Sequence, residues 1–159
     1  MAESQYSDSK SEAFSALARY CSGAERCEHD VRLKLARYQL PNNLVDEIIH
    51  LLKKEKYIDE LRYAKAFVND KSKFQKWGRF KITLGLKQKH IAENIIEEAL
   101  ENYSDDDCRK NLYDELSKKL RSLPKASNYE LKGKLYRFAA SRGFENDIIL
   151  EVIGELLEE

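Results

Sequence analysis

Apolar residues recur at helical spacing along almost the whole chain. From Ser11 to Ser22, Phe14, Leu17, Ala18 and Cys21 share one face, and Gly23 follows as a stop signal. Val31 and Leu35, four apart after Cys27-Glu28-His29-Asp30, predict a second, short helix that Leu40-Pro41-Asn42-Asn43 interrupts. Asn42 or Asn43 is placed to cap a third helix, whose stripe is Leu44, Val45, Ile48, Ile49 and Leu52 and whose end is the basic turn Lys53-Lys54-Glu55-Lys56. Asp59 then caps a fourth, with Leu61, Ala64, Phe67, Val68 and Phe74 on its apolar side. Arg62, Lys65, Asn69, Ser72, Lys73 and Lys76 lie opposite them.

This pattern repeats. Moving Val31, Leu35, Leu40, Leu44, Val45, Ile48 and Ile49 forward by 51 positions reaches Ile82, Leu86, Ile91, Ile95, Ile96, Ala99 and Leu100. A further 53 reaches Leu135, Ala139, Phe144, Ile148, Ile149, Val152 and Ile153, all of them apolar again. Asn43, Asn94 and Asp147 fall in the matching cap region. Self-similarity at this period predicts an all-α chain of three tandem three-helix repeats in an elongated, curved array. The expected divisions are a disordered leader over 1–10, a first repeat over 11–56, a central one over 57–103 and a third over 104–159.

The repeat also decides a local conflict. Arg79-Phe80-Lys81-Ile82-Thr83-Leu84-Gly85-Leu86 alternates polar and apolar, which in isolation is a strand signal. Its counterparts over 30–35 and 134–139 do not alternate, and a lone strand would leave its backbone groups unpaired, so a helix is expected. On it Ile82 and Leu86 face the core, and Phe80 and Leu84 point away, where covering a neighbouring helix is the expected role. In the third repeat, Asp105-Asp106-Asp107 suits a helix N-terminus, Pro124 closes that helix, and Ser127-Asn128-Tyr129-Glu130 has capping-box spacing.

Composition agrees with this picture. Two prolines and six glycines in 159 residues leave few helix breakers, and no apolar run approaches the ~20 residues of a membrane span. The N-terminus shows no charged-then-apolar secretory pattern, so a cytoplasmic protein is expected. Three cysteines, Cys21, Cys27 and Cys108, lack metal-ligand spacing and read as reduced thiols.

Charge changes the picture more. The chain is neutral overall, yet from Arg62 to Lys89 nine bases face a single acid, Asp70. From Ile91 onward sixteen acids outnumber ten bases. A solvated helix face ordinarily mixes signs; this polar side carries no acid, which points to an anionic partner. The candidate binding residues are Arg62, Lys65, Lys73 and Lys76 on the first helix of the central repeat and Arg79, Lys81, Lys87 and Lys89 on the second. Trp77 lies between them as a ring on which a base can stack, or as a packing plug. Lys65, Lys73 and Lys76 are expected to be exposed.

No catalytic pattern accompanies this charge. The sequence contains no Gly-rich phosphate loop, no G-x-S-x-G, no H-E-x-x-H and no C-x-x-C, and His29, His50 and His90 have no ligand spacing. No cofactor, metal or enzymatic activity is expected.

The run Tyr57-Ile58-Asp59-Glu60-Leu61-Arg62-Tyr63-Ala64-Lys65-Ala66-Phe67-Val68, followed by Gly78 and by Ile82-x-x-x-Leu86-Lys87-Gln88-Lys89, resembles the central motif of the bacterial RecX family, the regulators of the RecA recombinase. Asp30 to Leu35 is similar to that family's first segment, and Lys134 to Phe144 to its C-terminal one. The chain departs from the family pattern at Lys56 and His90, where glycine is usual, at Cys27, where a capping serine is common, and in using lysine for most of the central arginines. The resemblance implies a monomer that lies in the groove of the RecA filament on single-stranded DNA and suppresses ATP hydrolysis, strand exchange and filament growth by obstruction. The residues by themselves also fit a nucleic-acid-binding helical module without a recombinase partner, or a plain scaffold with a solvated basic stripe.

Overall fold

The computed structural model describes the backbone of residues 2–158 and the side chains of residues 7–158. Among these residues there are nine α-helices and no strand: α1 Ala2–Gly23, α2 Glu28–Leu35, α3 Asn42–Lys54, α4 Glu60–Lys73, α5 Arg79–Gln88, α6 Glu93–Leu100, α7 Asp105–Ser122, α8 Asn128–Ser141 and α9 Asn146–Leu156. A 3-10 turn over Ala36–Tyr38 extends α2. Helix α1 runs back to Ala2, through the stretch expected to be a disordered leader.

Three apolar clusters follow the repeat. Leu17, Val31, Leu35, Ile48 and Leu52 anchor the first, Ala64, Ile82, Leu86, Ile96 and Ala99 the second, and Leu112, Leu116, Leu135, Ile149 and Val152 the third. Each fully buried Ile or Leu contributes roughly 1.5–3 kcal/mol, so each repeat rests mainly on its own stripe. The clusters do not merge into one sphere. The accessible surface is 10110 Å², against about 8,200 Å² for a compact protein of this mass, so the array is elongated.

Arg79–Gln88 is helical, as the repeat requires. Its alternation arises because Ile82 and Leu86 are fully buried while Gly85 lies flat against Phe67, where a Cβ would come within 2.7 Å of the ring. Phe80 and Leu84 do not cover a neighbour. They are 61% and 57% exposed, because the second repeat uses only one face of α5. Phe74 likewise leaves the apolar side at the end of α4 and is 75% exposed.

Helix ends follow the cap chemistry at Asp59, Ser104 and Ser127, whose side chains accept from Arg62 N, Asp107 N and Glu130 N. They do not at α3, which begins at Asn42 after Pro41 with no side-chain cap. The three residues that terminate the second helix of each repeat, Gln39, His90 and Gly143, all have left-handed backbone, with φ of 51°, 59° and 86°. Lys56 shares it, with φ 60°. The two positions where the family pattern has glycine and this chain does not are thus both left-handed.

At Gly143 nothing larger fits. Gly78 N donates to Arg142 O at 2.8 Å and Phe80 N to Gly143 O at 3.0 Å. The free amides at the start of α5 are therefore capped by the carbonyls that end α8. A Cβ on Gly78 would overlap the Gly143 carbonyl, and one on Gly143 would overlap Lys81.

His90→Gly and Lys56→Gly should each raise stability by about 0.5–1 kcal/mol in urea unfolding, relief of left-handed strain outweighing the added unfolded-state freedom. Gly143→Ala should cost about 2 kcal/mol or more. Ile96→Asp, at a 2% exposed core position, should cost about 3 kcal/mol or more. A melt like the parent's for Ile96→Asp would break the repeat assignment.

Candidate functional site

Helix α4 presents Lys65, Asn69 and Lys73 on its polar side because the Asp59 cap sets its start and Tyr63 and Ala64 hold the opposite side in the core. Helix α7 of the third repeat lies across from it. Between them is a groove of about 660 Å³ whose lining includes Lys65, Lys73, Lys76, Lys110, Asn69, Asn102 and Asn111. Its only acid is Asp107. Among the described residues no carboxylate pairs with Lys65, Lys73 or Lys110.

A buried polar network forms the floor. Asn111 Nδ2 donates to Ser72 O at 2.8 Å and to the Tyr103 hydroxyl at 2.9 Å, and that hydroxyl donates to Trp77 O at 2.8 Å. Asn111 Oδ1 accepts from Lys76 Nζ at 3.3 Å. Every polar group of this junction has a partner, which fixes the α4–α5 corner against α7. Lys76 is thereby half-buried and tethered, where the sequence predicts an exposed lysine.

The remaining candidates separate. Arg62 binds Glu25 at 2.7 Å and also donates to Lys56 O and Tyr57 O, tying α4 to the first repeat. Arg79 binds Asp105 at 2.7 Å and Tyr103 O at 2.5 Å, with Glu145 at 3.9 Å, tying α5 to the third repeat. Lys89 binds Asp30 at 2.8 Å. These three bases hold repeats together. Trp77 is a half-buried plug, 6.4 Å from the Phe67 ring edge-on, with the ammonium groups of Lys71 and Lys81 at 4.8 Å and 4.4 Å from its centre. Lys87 stands exposed near the end of α5.

Sequence reasoning missed Lys110 and Asn111. Both lie in the acidic third, next to Asp105–Asp107, where a charge count averages them away. It also separated His29 from His90, whose rings stand 4.5 Å apart at the junction of the first two repeats. Among the described residues no three ligand-type side chains converge as a metal site would need. The cysteines are buried, and burial pushes all three thiols up, Cys27 to about 11. Thiolate chemistry is thereby suppressed.

With this geometry in view, the relatives become informative. Residues 59–100 match the model of the second three-helix domain of RecX, and residues 105–153 that of the third. The regulatory protein RecX of Chlorobium phaeobacteroides BS1 is 31% identical over 91% of this chain and 93% of its own length. The chain belongs to the RecX family.

The regulatory protein RecX of Clostridium botulinum Eklund 17B is 34% identical over 83% of the chain, and the match spans 62% of that longer relative. The crystal structure of RecX from Lactobacillus salivarius superposes with a TM-score of 0.88 at 27% identity, covering 96% of this chain and 99% of that one. The three-fold helical array is therefore the RecX fold. No described helix is long and apolar enough to cross a membrane.

The pairing of Lys89 with Asp30 predicts a specific pH dependence. Burial raises the Asp30 carboxyl, but hydrogen bonds from Lys89 and Cys27, together with the Lys89 charge, hold the group below its ordinary 3.8. A carboxyl depressed by folding stabilises the protein above its unfolded value, and that stabilisation is lost as pH falls through the folded value. The stability gap between the parent and Lys89→Gln should thus be full near neutrality and close as pH drops toward and below 3.8. Urea unfolding at a series of pH values checks this, and a gap that persists in acid would assign Lys89 another role.

Proposed function

We propose that this chain is a regulator that binds RecA and its nucleoprotein filament on single-stranded DNA and inhibits ATP hydrolysis, strand exchange and filament growth. In this reading it modulates recombination, DNA repair and the SOS response in the cytoplasm, acting as a monomer lodged in the filament groove. Its mechanism is occupancy: a bound array obstructs the groove and needs no cofactor and no catalytic group. The observation that carries the reading, beside membership of the RecX family, is the lysine groove between the second and third repeats. Among the described residues no carboxylate pairs with Lys65, Lys73 or Lys110, the one acid in the groove lining being Asp107, and a phosphate chain or an acidic filament surface would supply the missing counter-charge. Lysine serves a phosphate as a mobile point charge, without the fixed fork of arginine.

Lys65→Glu/Lys73→Glu/Lys110→Glu is the informative variant. All three positions are exposed, so stability should change by no more than about 0.5 kcal/mol per substitution. Filament binding should fall sharply. If phosphates are the target, the slope of log affinity against log salt should become shallower by about two, at ~0.7 per single-strand contact. Affinity and salt slope both unchanged would return the groove to solvent.

The activity test adds the protein to RecA filaments already assembled on single-stranded DNA. ATP hydrolysis and strand exchange should both fall at equimolar or lower ratio, and the triple variant should be impaired. The groove alone also fits a module that coats naked single strands. Such a module would inhibit only when added before RecA, in proportion to the DNA, and its effect would fade as DNA is increased. Preformed filaments that work at an undiminished rate in excess protein would refute the regulatory reading.

A further inference from the structure

Helix α5 has a second outward surface that the groove does not use. Phe80 and Leu84, one helical turn apart, form an exposed apolar ridge, and exposed Phe74 stands at the corner that leads into it. Lys81 and Lys87 flank the ridge, and among the described residues neither pairs with a carboxylate. The inner side of the same helix is already filled by Ile82, Leu86 and the contact of Gly85 with Phe67, so the helix cannot turn its ridge inward. Two large apolar side chains held in water on a rigid helix, framed by positive charge that no carboxylate neutralises among the described residues, are a contact surface without its partner.

We propose that the Phe80–Leu84 ridge docks into an apolar cleft with an acidic rim on a partner protein, separately from the phosphate-binding groove. The chemistry favours a protein over unpaired bases. Leu84 has no π face to stack on, and the ring best suited to stacking, Trp77, is half-buried, met by the edge of Phe67 and flanked by two ammonium groups. A pair of side chains at i and i+4 is how a helix presents anchors to a cleft, and Lys81 and Lys87 would meet an acidic rim. The inference goes beyond the proposed function in giving protein recognition and phosphate recognition to different elements.

The test uses the full chain and Phe80→Ser/Leu84→Ser, a double variant of exposed positions that should melt like the parent. An acidic amphipathic helical peptide is titrated into the ¹⁵N-labelled protein, beside a basic peptide with the same apolar residues and an oligo-dT strand. Expected are amide shifts at Thr83, Leu84 and Gly85 with the acidic peptide alone, and at least tenfold weaker peptide binding by the double variant. Sedimentation of RecA filaments forms the second arm, in which the double variant should bind at least tenfold more weakly while its affinity for oligo-dT stays that of the parent.

Peptide shifts that miss α5 would overturn the proposal. So would oligo-dT shifts centred on α5, which would make nucleic acid the occupant, or parent self-association that the double variant abolishes, which would make it a second copy of this chain. A parent that binds no filament refutes the proposed function and leaves the ridge to be judged by the peptide shifts. A parent and double variant that bind filaments equally, with peptide shifts absent from α5, sink the ridge and leave that function standing.

Discussion

The backbone contact between Gly78 and Gly143 is the constraint on which the candidate site depends. The groove draws Lys65 and Lys73 from α4 and Lys110 from α7, so it exists only while the second and third repeats keep one relative position. Two hydrogen bonds from the start of α5 to the carbonyls ending α8 set that position, and both glycines are needed for the chains to approach. The buried Asn111 network then fastens the groove floor. Backbone bonds in a packed junction are little screened by salt, so the groove keeps its shape at the ionic strengths that weaken its ligand.

The junction of the first and second repeats is built differently. Glu60 accepts from Glu28 N, Arg62 meets Glu25, and Lys89 meets Asp30. Partly exposed ion pairs of this kind contribute roughly 0–1 kcal/mol each and respond to salt and pH. Buried Cys27 adds an apolar link to the central core. The array is thus tied by backbone bonds together with side chains on one side of its central repeat and largely by side-chain charge on the other.

The division of labour among the basic residues follows from their chemistry. The two arginines of the central run, Arg62 and Arg79, each satisfy a carboxylate and at least one backbone carbonyl at once, which the planar guanidinium does readily. Three of the seven lysines in that run, Lys65, Lys73 and Lys87, are left exposed to solvent. Those three lysines keep positive charge at the surface without creating further internal ties, whereas Lys76 and Lys89 are tied to Asn111 and Asp30. The mixture supports both an ordered scaffold and an adaptable charged face.

Much of the fold was legible in the sequence because helical periodicity is local and the repeat supplied three readings of one pattern. The recurrent apolar residues other than Leu44 fall in or against the cores, and the alternating stretch over Arg79–Leu86 is helical despite its strand-like pattern. Caps at Asp59 and Ser127 were readable for the same reason, since their partners lie three residues away. The sequence also located the basic centre. What it could not decide was which of those bases are free, because each answer depends on a residue 24 to 59 positions distant: Glu25 for Arg62, Asp105 and Tyr103 for Arg79, Asp30 for Lys89, Asn111 for Lys76. Nor could it bring Lys110 into the groove or decide that no neighbouring helix covers Phe80 and Leu84. Local pattern determines which side of a helix is apolar; only the packing of helix on helix decides how much of that side is covered and which charges find a partner.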